Sequence, residues 1–143
     1  SDKVNITEEN KMQGYSNTVA LTAYNAQQSD NDLKVLPITA IAEYAKNHPA
    51  PANSSGWYFP SIMELKYMCW GQGNSSGNSG KELLDTQFNK VSGASSFAGN
   101  YCWSSSEAWD YNVNTWGVAF NTDFRKYWVH KSWSNSVRSI LAF

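Results

Sequence analysis

Charge is scarce in this chain. Charged residues make up 16% of its 143 positions, against roughly 25% in ordinary soluble domains, and the net charge is -1. Nucleic acid and anionic membrane surfaces are bound through basic stripes that displace counterions or meet headgroups, and the sequence has no such stripe. Long apolar runs are missing too: none reaches the ~18 residues of a membrane span, so direct membrane insertion is not expected. No secretory signal opens the chain. It starts Ser1-Asp2-Lys3 without Met, as expected of a processed or excised part of a longer exported protein.

Cysteine is nearly absent. Cys69 and Cys102 could close one disulfide in an exported protein, but two cysteines define no framework, and two buried free thiols are an equal alternative. They also lack further ligands at metal-binding spacings, so neither a metal nor a cofactor is expected. The two histidines, His48 in a Pro-rich loop and His130, have no sequence neighbours that fix a catalytic role. No nucleophile with its base emerges, and the chain reads as a non-enzyme.

Aromatic side chains are what the sequence has in excess. They account for 15% of residues, and eleven of the 21 fall between Tyr101 and Phe143, more than a core there easily absorbs. The length suits one domain, able to bury about two-thirds of its unfolded surface. Residues 1–15 are polar and aperiodic, an edge strand or lead-in, and a single domain is expected over 16–143.

Val19, Ala20, Leu21, Ala23 and Tyr24 predict a helix from Ser16 to about Gln28, capped by Ser16 or Asn17. Pro37 to Asn47 predicts a second, with Ile38, Ile41, Ala42, Tyr44 and Ala45 as its apolar stripe. After the stiff loop 48–56, three aromatics form a short strand before Pro60. Ser61 with Glu64 then makes a capping box for a helix from Ile62 to about Trp70, with Ile62, Leu65, Met68 and Cys69 facing the core. Past the polar loop Gly71–Gly80, Ser79 with Glu82 repeats that signature ahead of Leu83, Leu84 and Phe88. Beyond Gly93, Trp116, Val118 and Phe120 alternate with Gly117 and Ala119 as in a strand, and 137–142 predicts a buried last strand. Helices first and an antiparallel sheet with long irregular loops afterwards is an α+β arrangement.

Four ordered pieces, Gly56-Trp57-Tyr58-Phe59-Pro60-Ser61 with Glu64-Leu65, Tyr101-Cys102-Trp103-Ser104-Ser105-Ser106-Glu107, Thr115-Trp116-Gly117-Val118-Ala119-Phe120 and Val137-Arg138-Ser139-Ile140-Leu141-Ala142-Phe143, carry a resemblance. They resemble the GWxLPSxxEL, YWSSTE, AWxVxF and terminal VRPVLAF motifs of bacterial surface-protein domains. Many of those are variable proteins of diversity-generating retroelements, with a C-type-lectin-like fold of the formylglycine-generating-enzyme type, found at pilus tips or on surface lipoproteins. The resemblance spans about Gly14 to Phe143. Phe59 stands where Leu is usual, Cys102 interrupts the Tyr-Trp pair and Ser139 replaces Pro.

The resemblance implies a cell-surface or extracellular ligand-binding domain, adhesin-like, whose variable region covers about 108–136. Its partner would be a protein or glycan on another cell, a phage or a host surface. On the motif, Trp116, Val118 and Phe120 take scaffold places. Trp109, Asp110, Tyr111, Asn112, Asn114, Asn121, Asp123, Arg125, Tyr127, Trp128, His130, Trp133 and Asn135 fall at or near the exposed face. Tyr and Trp give wide contact at low entropy cost, while Asn and Ser adapt their hydrogen bonds, as in antibody paratopes. Any one of Trp109, Trp128 and Trp133 could equally belong to a compact β core. Burying all three would require burying and satisfying Asp110, Tyr111, His130 and Asn135 as well.

The calcium-dependent lectins hold their ion through Glu-Pro-Asn or Gln-Pro-Asp with Trp-Asn-Asp, and none of these occurs. The cysteine pair of the fold's enzyme branch does not match Cys69 and Cys102, so oxidative chemistry is the weakest alternative. A structural pilus or surface-assembly subunit using the same face is the stronger one. Glu107, within the scaffold motif, is expected to bond backbone or Arg138.

Overall fold

The structure is a computed structural model, describing residues 11–72, 77–97, 101–108, 113–121 and 124–143. In chain order these form α1 (Gly14–Gln27), a 3-10 turn (Asn31–Leu33), α2 (Leu36–Asn47), α3 (Ile62–Trp70), α4 (Ser79–Phe88), β1 (Tyr101–Glu107), β2 (Asn114–Ala119) and β3 (Lys126–His130). The strands make one antiparallel sheet with β2 in the centre. The fold is α+β, with the helices preceding and packing on a small sheet.

The capping box at α3 forms as the sequence predicts. Ser61 Oγ accepts from Glu64 N, and Glu64 Oε2 accepts from Ser61 N at 2.7 Å. Gly71 closes the helix in the left-handed region, φ 75°, where a Cβ would be strained. Ile62, Leu65, Cys69 and Trp70 are buried, and Met68 is partly so. Together with Phe97, Cys102, Trp116, Val118 and Phe120 they form the main core. A second cluster joins Leu21, Ile38, Ile41 and Phe59 beneath α1 and α2.

The first helix starts earlier than its sequence caps suggest. Gly14 N donates to Glu64 Oε2 at 3.1 Å, so the start of α1 is fixed by the α3 capping box across the fold. A side chain at Gly14 would collide with that carboxylate, with Phe59 O and with Ser61 N. Asn17 is instead buried inside α1, donating to Ser105 Oγ at 3.0 Å. The lead-in proposed for 1–15 thus ends before Gly14, and residues 1–10 lie outside those described.

Four other expectations are corrected. Ala42 and Tyr44 face outward on α2; Tyr44 stacks on His48 at 4.1 Å and meets Trp57 edge-on at 5.2 Å. No capping box joins Ser79 to Glu82: Ser79 Oγ donates to Trp70 O, Glu82 accepts from Asn78 Nδ2, and Asn78 is the cap residue. Trp57-Tyr58-Phe59 and 137–142 are not laddered strands. The chain there passes from one parallel bridge, Cys102 with Ser136, to one antiparallel bridge, Tyr58 with Ile140, too far apart to extend either pairing. Finally, the Arg138 alternative for Glu107 is not found: Glu107 pairs with Lys131 at 2.5 Å, while Arg138 lies over Phe88 and Phe97 and donates to Ser95 O.

Candidate ligand-binding surface

Strand β2 is buried along its whole length, not on one face only. α3 and the main core cover Trp116 and Val118. On the opposite face Gly117 leaves room for the Tyr127 ring, since a Cβ there would lie 2.8 Å from its hydroxyl. Tyr127 is consequently half-buried, edge-on to Tyr101 at 5.0 Å, and its hydroxyl finds no hydrogen-bond partner among the described residues. Burial, then the nearby Cys102 and Tyr101, push its ionisation well above the usual tyrosine value.

Trp128 stands directly opposite Trp116 in the register and so shares its sheet face. Trp116 is 6% exposed, with the Lys126 ammonium 3.8 Å from its ring centre; Trp128, on the edge strand, is 58% exposed. Two residues further, His130 is exposed and its Nδ1 meets Ser132 Oγ at 2.7 Å. Trp133 N donates to His130 O, closing a turn that leaves the Trp133 ring 66% exposed. Asn135, with its amide oriented to suit both neighbours, accepts from Trp103 Nε1 at 2.6 Å and donates to Ser134 O.

Of the residues assigned to the exposed face, Trp128, His130, Trp133 and Arg125 are exposed, while Asn121, Tyr127 and Asn135 are half-buried. Asn114 is a correction. It is buried in the central strand opposite His130, and its carbonyl accepts from Ala108 N at 3.1 Å. Trp109, Asp110, Tyr111, Asn112 and Asp123 lie outside the described residues.

Beside this surface opens a cleft of about 780 Å³, within the roughly 300–1,000 Å³ of small-ligand sites. Its walls are the turn 31–33 with the start of α2 on one side and residues 130–137 on the other, above Trp103, Ser104 and Ser105 of β1. Leu33 and Leu36 line it while 56% and 67% exposed, and the Glu107–Lys131 ion pair sits within it. The sequence reading omits this wall. Its signal is Leu33, Val35 and Leu36, three apolar residues around Lys34 just ahead of Pro37 that the predicted α2 stripe does not use.

Both cysteines are free and buried. Burial raises the Cys69 thiol to about 12 and Cys102 to about 11, so both remain protonated and weakly nucleophilic at neutral pH. Among the described residues no three His, Cys, Asp or Glu side chains cluster as metal ligands, and no helix is long and apolar enough to cross a membrane.

No protein-family model matches the chain, and no curated protein matches it. Among solved structures the chain is similar to a fimbrial protein from Bacteroides ovatus ATCC 8483, with a TM-score of 0.70 and 22% identity over 94% of this chain. That likeness shows a shared fold. The chain spans 26% of the fimbrial protein's length.

Proposed function

We propose that this chain is a recognition domain of a larger cell-surface protein, gripping a protein or glycan without metal and catalysing nothing. The observation that carries this reading is the exposure of Trp128 and Trp133, 58% and 66%, on an edge strand and its following turn beside an open cleft. Rigid exposed rings of this kind commonly dominate interfaces. The finer reading, a C-type-lectin-like variable domain of a diversity-generating retroelement, draws its support from the four ordered motifs. The buried places of Trp116, Val118 and Phe120 and the outward place of Trp128 are consistent with its division into scaffold and display.

The test is a screen of the purified domain against glycan and surface-protein arrays, with and without EDTA, beside a variant carrying Trp128→Ala and Trp133→Ala. A chelator-insensitive hit lost in the folded variant is expected, with a cost of about 2 kcal/mol or more for a well-placed ring. A hit that survives the variant places recognition elsewhere. The fimbrial likeness supports a second reading, a surface-assembly subunit docking its neighbour through the same face. Concentration-dependent self-association abolished by the same variant would favour it.

A further inference from the structure

Among the described residues β3 pairs with β2 alone, so its register on β2 decides what the sheet edge displays. Strand parity puts Tyr127 with Val129, which is 2% exposed, on one face and leaves Trp128 and His130 exposed on the other. A slip of one residue would exchange the two sets, burying Trp128 and turning Val129 to solvent. A slip of two keeps the parity, so apolar patterning does not oppose it.

The central strand does. Gly117 stands directly opposite Tyr127, and a Cβ there would lie 2.8 Å from the Tyr127 hydroxyl oxygen and 2.9 Å from the ring carbon that bears it. The ring therefore reaches across β2 over the glycine and meets Tyr101 of β1 edge-on at 5.0 Å. The neighbours of Gly117 on that face are Thr115 and Ala119, and both carry the Cβ that the ring would strike. Thr115 Oγ1 also donates to Ser104 O and Ser106 O, which fills the way toward β1. One position of β2 thus admits this ring. The hydroxyl contributes nothing to the fit, being buried without a hydrogen-bond partner among the described residues.

We propose that Gly117 and Tyr127 form a register key, and that Tyr127 is a positioning residue whose ring holds β3 with Trp128 and His130 turned outward. A cross-strand ring laid over a glycine is a known way to pin a sheet. The key occupies the face that the display side chains do not use, so Trp128 and His130 can be exchanged without loss of register. The part played by Trp128 rests on the recognition function proposed above; the register does not.

The experiment reads the register of the isotope-labelled whole chain by nuclear magnetic resonance, with no ligand present. Ala119 N donates to Arg125 O and Lys131 N to Val113 O, so the bonded pairs fall on Thr115–Val129 and Gly117–Tyr127. Trp116 and Trp128 are then a non-bonded pair whose Hα atoms are in close contact. That single contact should persist in Tyr127→Phe and in a Trp128→Ser, His130→Ser variant. In Tyr127→Val and in Gly117→Ala it should weaken or split, and the amides of residues 127 and 129 should exchange about tenfold or more faster, with the Trp70 indole signal unchanged. If one of these two does not fold, the other decides.

An unaltered Trp116–Trp128 contact in Tyr127→Val or Gly117→Ala would overturn the inference, as would its loss in Tyr127→Phe or in the display variant. Any array hit that needs Trp128 should bind Tyr127→Phe within about twofold of wild type and Tyr127→Val about tenfold or more weakly. A tenfold loss in Tyr127→Phe would make Tyr127 a ligand contact and overturn its positioning role. Hits that ignore Trp128 and Trp133 would overturn the proposed recognition surface and leave the register key standing.

Discussion

Trp116 and Trp128 are the same residue type, directly opposed on neighbouring strands, with opposite fates: one 6% exposed, the other 58%. The difference lies in what covers each strand. α3 packs on β1 and β2, in one core with Trp116, whereas β3 is the edge strand that α3 leaves uncovered. Residue type and strand parity therefore do not decide burial here; position relative to one helix does. The sheet is a fixed interior on its first two strands and a display edge on its third.

The strongest way to break that division is to truncate both rings separately. Trp116→Ala should cost about 3–5 kcal/mol of unfolding free energy by denaturant titration, since it opens a cavity in the main core. Gly117→Ala comes next, at about 1–3 kcal/mol, because its methyl would sit 2.7 Å from Cys102 O and 2.8 Å from the Tyr127 hydroxyl. A shifted Tyr101–Tyr127 pair in near-ultraviolet circular dichroism would accompany it.

Asp85 tests the helical cover. Its carboxylate accepts from Lys81 Nζ at 2.6 Å and from Phe97 N at 2.8 Å, joining α4 to the core. Burial alone would raise its pKa, but Lys81, the Phe97 N–H and the nearby Arg138 outweigh burial and hold it below the usual carboxylate value. A depressed folded pKa gives stability that is fully present above the unfolded value, about 3.9, and lost as pH falls through the folded one. Asp85→Asn should thus cost about 1–2 kcal/mol at neutral pH, and the gap to wild type should narrow as the pH drops below about 4. Smallest of all, Trp128→Ala should change stability by no more than about 0.5 kcal/mol. A loss like that of Trp116→Ala would erase the contrast between the strands.

The features legible in the sequence are those whose determinants are close along the chain. Ser61 and Glu64 are three residues apart, and the helix they open is found at the predicted Ile62–Trp70. The α+β order followed in the same way from successive periodicities. Asn114 was misplaced because its burial depends on pairing with His130, which local composition does not encode. The start of α1 was missed because the group fixing it, Glu64, lies fifty residues away. Leu33 and Leu36 escaped notice because a cleft wall facing the 130–137 segment exists only after the sheet has formed. Local chemistry thus exposed the scaffold, while the shape of the candidate site depended on long-range packing.

The bridge between Tyr58 and Ile140 has a bearing on how the domain is made. Tyr58 N donates to Ile140 O and Ile140 N to Tyr58 O, and nearby Ala142 N donates to Ser55 Oγ, 87 positions away. A chain emerging from the ribosome can form α1, α2 and α3 early, but it cannot complete this closure until about residue 142 is available. Folding dominated by such distant pairings is slow, and until it finishes, Tyr58 and its neighbours lack their last backbone partner. The interval between synthesis and closure is therefore when this domain is most open to chaperones, to proteases and, if it is exported, to the machinery that would move it unfolded.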